Sequence, residues 1–185
     1  MSILQPGDSF LYMKVGVHAN ESLKDIIERK RAEIAEAGVS FWGYGGGCHP
    51  YNAVQPFVRE VTAQGTTVRL LMQEITSRHF AEGEATEYSP DGTTYLPIPK
   101  GVKVLGSRYA LVLTSLDAID ETVSLADTIV GVGAKRGLSG DQYIRGHVDK
   151  ACFVYQPGAG LALKRTEIPL RLSAKLAEPF AVVLR

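Results

Sequence analysis

The chain has 185 residues, with a hydrophobic fraction of 45% and a charged fraction of 22%, which is the balance of an ordinary globular protein. Its 20 Lys and Arg residues equal its 20 Asp and Glu residues, so the formal net charge is zero. This composition excludes a disordered tail, a collagen-like repeat and a strongly basic protein that coats duplex DNA. We expect a single domain over residues 1–185.

Two features of the sequence bear on the compartment. The N-terminal residues lack the pattern of a signal peptide, and no run reaches the ~18 apolar residues of a membrane span. Cys48 and Cys152 form no CxxC pair. We therefore expect a cytoplasmic protein with two free thiols and no membrane partner.

The first elements are the clearest in the chain. Phe10 to Val17 is rich in β-forming residues and predicts a strand. Apolar residues at helical spacing then predict a helix over 21–37, capped by Asn20 or Ser22 and ended by Gly38.

A second helix is predicted over 54–64, with Pro56 in its first turn. Thr66 to Ile75 predicts a strand. Residues 76–105 show little periodicity and are predicted to form a long irregular excursion with a turn at 90–92.

The later part of the chain is rich in β-forming residues. Strands are predicted over 107–116, over 125–132, over an alternating run at 142–155, and around Leu161, Leu170 and Val182. Early helices followed by many strands favour an α+β fold over a doubly wound one. We expect a mixed or antiparallel sheet that forms a small, partly closed β-barrel flanked by two or three helices.

The segment 41–51 is the most unusual, because it combines the only Trp with two Tyr, four Gly, one Cys and one His. Glycines let the backbone approach a ligand, and aromatic rings stack on a base. We interpret it as a recognition loop; the alternative is a turn whose rings fill the end of the core. The candidate ligand-binding residues are Trp42, Tyr44, Gly45, Gly46, Cys48, His49, Tyr51, Arg78 and His147.

The glycines of this segment lack the Lys and Ser/Thr of a phosphate-binding P-loop, although Gly45 to Gly47 could form an anion-binding nest. Arg78 follows a strong strand, where binding residues often lie. His147 alternates with Arg145 and Asp149 on a predicted polar strand face, which is either solvated or one wall of a ligand cleft.

No spacing typical of a metal site is present, and the sequence predicts no metal, no cofactor and no catalytic residue. The enzymatic alternative uses Cys48 as a nucleophile with His79 or His147 as its base.

Trp42-Gly43 ends an aromatic strand, and Gly65-Thr66-Thr67-Val68 opens a later one. Over residues 8–116 this arrangement resembles the PUA-like superfamily, which includes the EVE, ASCH and YTH domains. The resemblance implies a small β-barrel that holds a modified or flipped base, with Trp42 and Tyr44 as its aromatic wall. Gly65-Thr66 departs from the Gly-Asp found at that position in the superfamily.

We therefore expect a non-enzymatic protein that binds a nucleotide-like or modified-base ligand, either a small nucleotide or a single extruded base. Zero net charge makes duplex nucleic acid an unlikely partner. Two alternatives stay open. One is a small enzyme that acts on a nucleotide or amide through Cys48 and the histidines; the other is a ligand-free homo-oligomeric structural protein.

Overall fold

The computed structural model describes residues 2–158 and 167–185, apart from the side chain of Ser77. It is an α+β fold with one large mixed sheet and, within those residues, three α-helices. The helices are α1 (Leu23–Ala37), α2 (Tyr51–Ala63) and α3 (Gly140–Tyr143). The strands are β1 (Ser9–His18), β2 (Ser40–Tyr44), β3 (Arg69–His79), β4 (Glu87–Ser89), β5 (Leu96–Pro97), β6 (Tyr109–Leu113), β7 (Asp117–Ser124), β8 (Thr128–Val130), β9 (Lys150–Tyr155) and β10 (Glu167–Leu184).

The sheet follows the order β2-β6-β10-β3-β1-β9-β8. β1 and β3 are parallel, joined by a crossover that contains both long helices, and the other pairs are antiparallel. Over the described residues this path has two free ends and the sheet is not closed. The predicted α+β class is confirmed, whereas the partly closed barrel is not.

The 18-residue strand β10 ties the sheet together. Its first half pairs with β3 and β7, and its second half pairs with β6 and β4, with a break in register between Leu176 and Ala181. The runs predicted around Leu170 and Val182 are therefore one strand. The run predicted around Leu161 lies outside the described residues.

Helix α1 forms as its end signals predict. The Ser22 hydroxyl oxygen accepts a hydrogen bond from the Asp25 N–H at 3.1 Å, which satisfies one free donor of the first turn. Gly38 ends the helix at φ 77°, a left-handed conformation that glycine adopts without steric cost.

Two predicted elements have different bounds in the structure. Helix α2 begins at Tyr51, because Pro50 stands at its N-cap, so that Pro56 lies inside the helix and not in its first turn. The strand predicted over 142–155 begins only at Lys150. Gly146 at φ 60° breaks the extended chain before it, and the predicted polar strand face around His147 is therefore wrong.

The segment 76–105 contains little regular structure. Its first residues complete β3, and β4 and β5 then pair with each other. At the predicted turn, the Asp91 carboxylate accepts hydrogen bonds from the N–H groups of Thr93 and Thr94. These bonds lower the pKa of Asp91 below its ordinary value.

The central strands are apolar on both faces. In β1, Leu11, Met13 and Val15 face the helices, whereas Phe10 and Tyr12 face the opposite core cluster. This alternation follows from the two-residue period of a strand. One face of β1 therefore packs against the helical layer.

A buried carboxylate connects α1 to the loop before β6. Glu33 is 4% exposed, and its oxygens accept hydrogen bonds from Lys30 Nζ at 3.1 Å and the Lys103 N–H at 3.0 Å. Arg29 Nη1 donates to the same carboxylate at 3.0 Å, and the Ser40 hydroxyl at 2.5 Å. Burial lowers the pKa of Lys30 to about 8, although the charge of Glu33 opposes this. The four contacts fix helix, strand and loop to one another.

Glu33→Gln should destabilise the fold by about 3–5 kcal/mol, because it leaves the buried Lys30 ammonium without its counter-charge. The free energy of unfolding in urea measures the effect. Glu28→Gln is the matched control on the same helix, since the Glu28 side chain is 64% exposed, and we expect a change below about 0.5 kcal/mol. Equal losses in the two variants would contradict the role of Glu33.

Candidate functional site

A cavity of ≈ 520 Å³ lies between the second half of β1 and helix α1, within the range of about 300–1,000 Å³ usual for small-molecule sites. Six segments that are far apart in the sequence form its wall. They are the second half of β1, one face of α1, the end of β2 with the loop that follows it, the end of β3, residues 103–107 and residues 147–150.

Two histidines stack on this wall. The parallel pairing of β1 with β3 places His18 opposite His79, and their rings stack with centroids 5.1 Å apart and planes within 4°. His18 Nε2 lies 2.9 Å from the Leu105 carbonyl oxygen. His79 is exposed and offers an accessible imidazole to a ligand.

The glycines after Trp42 have different roles. A Cβ at Gly43 would lie 2.8 Å from both Ser107 Cβ and Val104 Cγ1. Strand β2 can therefore approach residues 103–107 this closely only with glycine at position 43. A Cβ at Gly45 or Gly47 would meet no atom within 4 Å. The backbone of these two glycines therefore borders open space.

A thiol, a carboxylate and an ammonium lie together in the cavity. The Lys14 N–H donates to the Asp149 carbonyl oxygen at 2.8 Å, which extends the pairing of β1 and β9. Asp149 Oδ1 lies 2.5 Å from Lys150 Nζ and 4.0 Å from Cys48 Sγ. The Lys150 side chain is 8% exposed and that of Asp149 is 45% exposed, so a nearly buried cation has a half-exposed partner.

His49 is buried behind the cavity and not on its wall. Its Nε2 accepts a hydrogen bond from the Cys152 N–H at 3.1 Å, so the neutral ring carries its proton on Nδ1. Burial, and secondly the positive charge of Lys150, lower the pKa of His49 to about 4, against the opposing charge of Asp149. His49 is therefore a neutral structural acceptor at pH 7.

Trp42 and Tyr44 belong to both the core and the cavity. Each is 5% exposed and packs in the helical core cluster, and each also contacts the cavity. Burial raises the pKa of Tyr44 well above its ordinary value, so it stays a phenol. Within the described residues, its hydroxyl has no hydrogen-bond partner.

The structure brings most of the candidate residues from the sequence to one place. Tyr51 does not line the cavity; it lies at the start of α2, with its ring 6.1 Å from that of Tyr109. His49 is also absent from the wall. The candidates that do line the cavity are Trp42, Tyr44, Gly45, Gly46, Cys48, Arg78 and His147.

Sequence reasoning missed most of the charge in the cavity. The sequence carries a detectable signal for two of the missed residues, since Lys14 and Lys150 are single cations within strongly apolar strands. Lys103 has no such signal. Among the described residues, the wall contains six Lys or Arg residues but only one carboxylate, that of Asp149; the six are Lys14, Arg29, Lys30, Arg78, Lys103 and Lys150.

Among residues 2–158 and 167–185, no cluster of three or more His, Cys, Asp or Glu side chains is arranged to hold a metal ion. None of the helices in these ranges has the length and apolar character needed to cross a membrane. Cys48 and Cys152 are both free thiols. No family model, curated protein or solved structure matches this chain.

The buried His49 should make stability depend on pH. The unfolded chain protonates this residue near pH 6.5, whereas the folded chain keeps it neutral to about pH 4. Stability that is fully present above pH 6.5 is lost as the pH falls toward 4, by on the order of 3 kcal/mol. We expect a shallower loss in His49→Gln, whose amide oxygen can still accept from Cys152.

Urea unfolding between pH 4 and pH 7 measures this slope. His147→Gln is the control, because His147 is exposed, and it should keep the slope of the unmodified protein. If His49→Gln keeps that slope as well, His49 does not titrate as described.

Proposed function

We propose that this chain is a non-enzymatic binding protein for an anionic, nucleotide-like or modified-base ligand that occupies the cavity beside β1. The observation that carries the proposal is the composition of the wall. Glycine backbone, ring edges and a stacked imidazole border a space of ≈ 520 Å³ together with six cations and one carboxylate.

The charge of the wall favours an anionic ligand. Arg29 and Lys30 are paired with buried or half-buried glutamates. Lys14, Arg78 and Lys103 form no ion pair within the described parts of the chain. In a chain of zero net charge, such a local excess of cations would raise the concentration of anions at the cavity.

The planar part of the ligand has two contact surfaces. Trp42 and Tyr44 are each 5% exposed, so they would contact a base with ring edges and not with whole faces. His79 is exposed and already stacked on His18, and a base could extend that stack. Stacking of this kind is worth ~1–3 kcal/mol per base.

A relationship to the PUA-like superfamily, with its partly closed barrel, remains a prediction from the sequence. We likewise propose an extruded base as an alternative ligand, a cytoplasmic location and a homo-oligomer. The open path of the sheet gives the barrel no support.

Native mass spectrometry of the purified protein, with identification of the small molecules it releases, tests the proposal. Gly47→Leu should abolish ligand binding or lower the affinity at least about tenfold, ~1.4 kcal/mol. Gly47 lies on the cavity wall, and a leucine side chain there would occupy open space that the ligand needs. Ala35→Leu, exposed on α1 and away from the wall, should bind normally. Unchanged binding in Gly47→Leu, with the fold intact, would contradict this cavity as the site.

A second candidate function rests on the contact between Cys48 and Asp149. A thiol 4.0 Å from a carboxylate, with Lys150 beside it, provides a nucleophile with a proton acceptor. It would act on an amide or another carbonyl compound. Cys48→Ala separates the two functions: a binding protein still binds its ligand and releases it unchanged, whereas an enzyme loses turnover.

A further inference from the structure

Lys150 has an unusual environment for a lysine on a cavity wall. Its side chain is 8% exposed, and its Nζ lies 5.9 Å from the centroid of the Tyr44 ring. Its one ion pair within the described residues is with the neighbouring Asp149, whose side chain is 45% exposed. Because an ammonium carries three protons, Lys150 can donate to Asp149 and to a second acceptor at the same time.

The loop Gly45–Gly47 lies against this ammonium. A Cβ at Gly46 would be 3.8 Å from Lys150 Nζ, so no side chain separates the loop from the cation. The N–H groups of the three glycines have no hydrogen-bond partner within the described chain. Free backbone N–H groups in a glycine-rich turn are typical of anion-binding nests.

We propose that Lys150 and the loop Gly45–Gly47 form an anion subsite that binds the phosphate of a nucleotide ligand. The inference rests on the proposed function for the identity of the ligand. The phosphate oxygens would accept hydrogen bonds from the ammonium and from the loop N–H groups. Lys14, half-buried on β1, adds a second positive charge to the wall.

This arrangement divides the ligand along the cavity. The phosphate lies at the glycine loop, near Lys150 at the start of β9, and the base lies toward the stacked pair His18 and His79 at the ends of β1 and β3. A nucleoside monophosphate should therefore bind more tightly than its nucleoside.

Inorganic phosphate is the first probe, titrated by calorimetry into the whole chain at low salt. Lys150→Met should weaken phosphate binding roughly 10- to 100-fold, as expected for the loss of a charged hydrogen-bond donor. Lys24→Met, on the solvent face of α1 with a side chain 83% exposed, should not change it. Equal affinity in Lys150→Met and the unmodified protein, or no binding by the unmodified protein, would overturn the subsite.

Gly45→Asp provides a second test that leaves Lys150 in place. A carboxylate at this open position should abolish phosphate binding by repulsion. Ala35→Asp is its control with the same charge change at an exposed position outside the wall. Circular dichroism establishes that each variant is folded, and retained phosphate binding in a folded Gly45→Asp would overturn the subsite.

Four nucleosides and their monophosphates then separate this inference from the proposed function. A preference for monophosphates that Lys150→Met removes supports both. Nucleosides and monophosphates that bind equally overturn the subsite and the need for an anionic group, but leave intact the proposal that the cavity binds a nucleotide-like or modified-base ligand. Phosphate that binds through Lys150 while no nucleoside or nucleotide binds in the cavity supports the subsite and overturns the proposed function.

Discussion

The carboxylate of Glu33 is the interaction on which the cavity depends. A buried charge is tolerated only when donors surround it, and the donors here come from α1, β2 and the loop at Lys103. That loop has no helix or strand of its own to hold it in place. By fixing it, Glu33 also fixes the Leu105 carbonyl that contacts His18 and the Val104 side chain against which Gly43 packs.

The chain has no net charge, but its cavity wall carries an excess of cations. Equal numbers of acidic and basic residues make long-range attraction to a polyanion weak. Cations gathered from strands, a helix and loops act only at short range, inside the cavity. Under the proposed function, such a protein would select a small anion that fits the cavity and would not accumulate on extended nucleic acid.

The parts of the fold that depend on local signals were predictable. Helix α1 carries its start signal, Ser22, and its stop signal, Gly38, directly at its two ends. In contrast, the continuity of β10 depends on partners that are 63 (Leu176 to Leu113) to 106 (Lys175 to Arg69) residues away, and no local pattern shows that Leu170 and Val182 share one strand. Gly146 has a left-handed conformation that interrupts the strand predicted over 142–155. No local pattern in the sequence indicates this conformation.

The site was predictable only in part, for the same reason. The glycine loop and its aromatic neighbours are contiguous, so composition alone drew attention to them. Lys14, Lys103 and Lys150 meet only after β1, β9 and the loop before β6 assemble, and no spacing in the sequence records their proximity. His49 was predicted to contact the ligand because it adjoins the glycine loop in sequence. Its neighbour Cys48 does line the cavity, whereas the His49 side chain turns to the Cys152 N–H.

The position of β10 has a consequence for how the chain folds during synthesis. It supplies hydrogen-bond partners to β3, β4, β6 and β7, all of which leave the ribosome before residues 167–184 do. Until then each of these strands keeps an unfilled edge, which is a template for association with other chains. Assembly of the sheet must therefore wait for contacts between residues distant in sequence, and sheets with such long-range pairing fold slowly. A chaperone that covers the unpaired strand edges during synthesis would reduce their association with other chains.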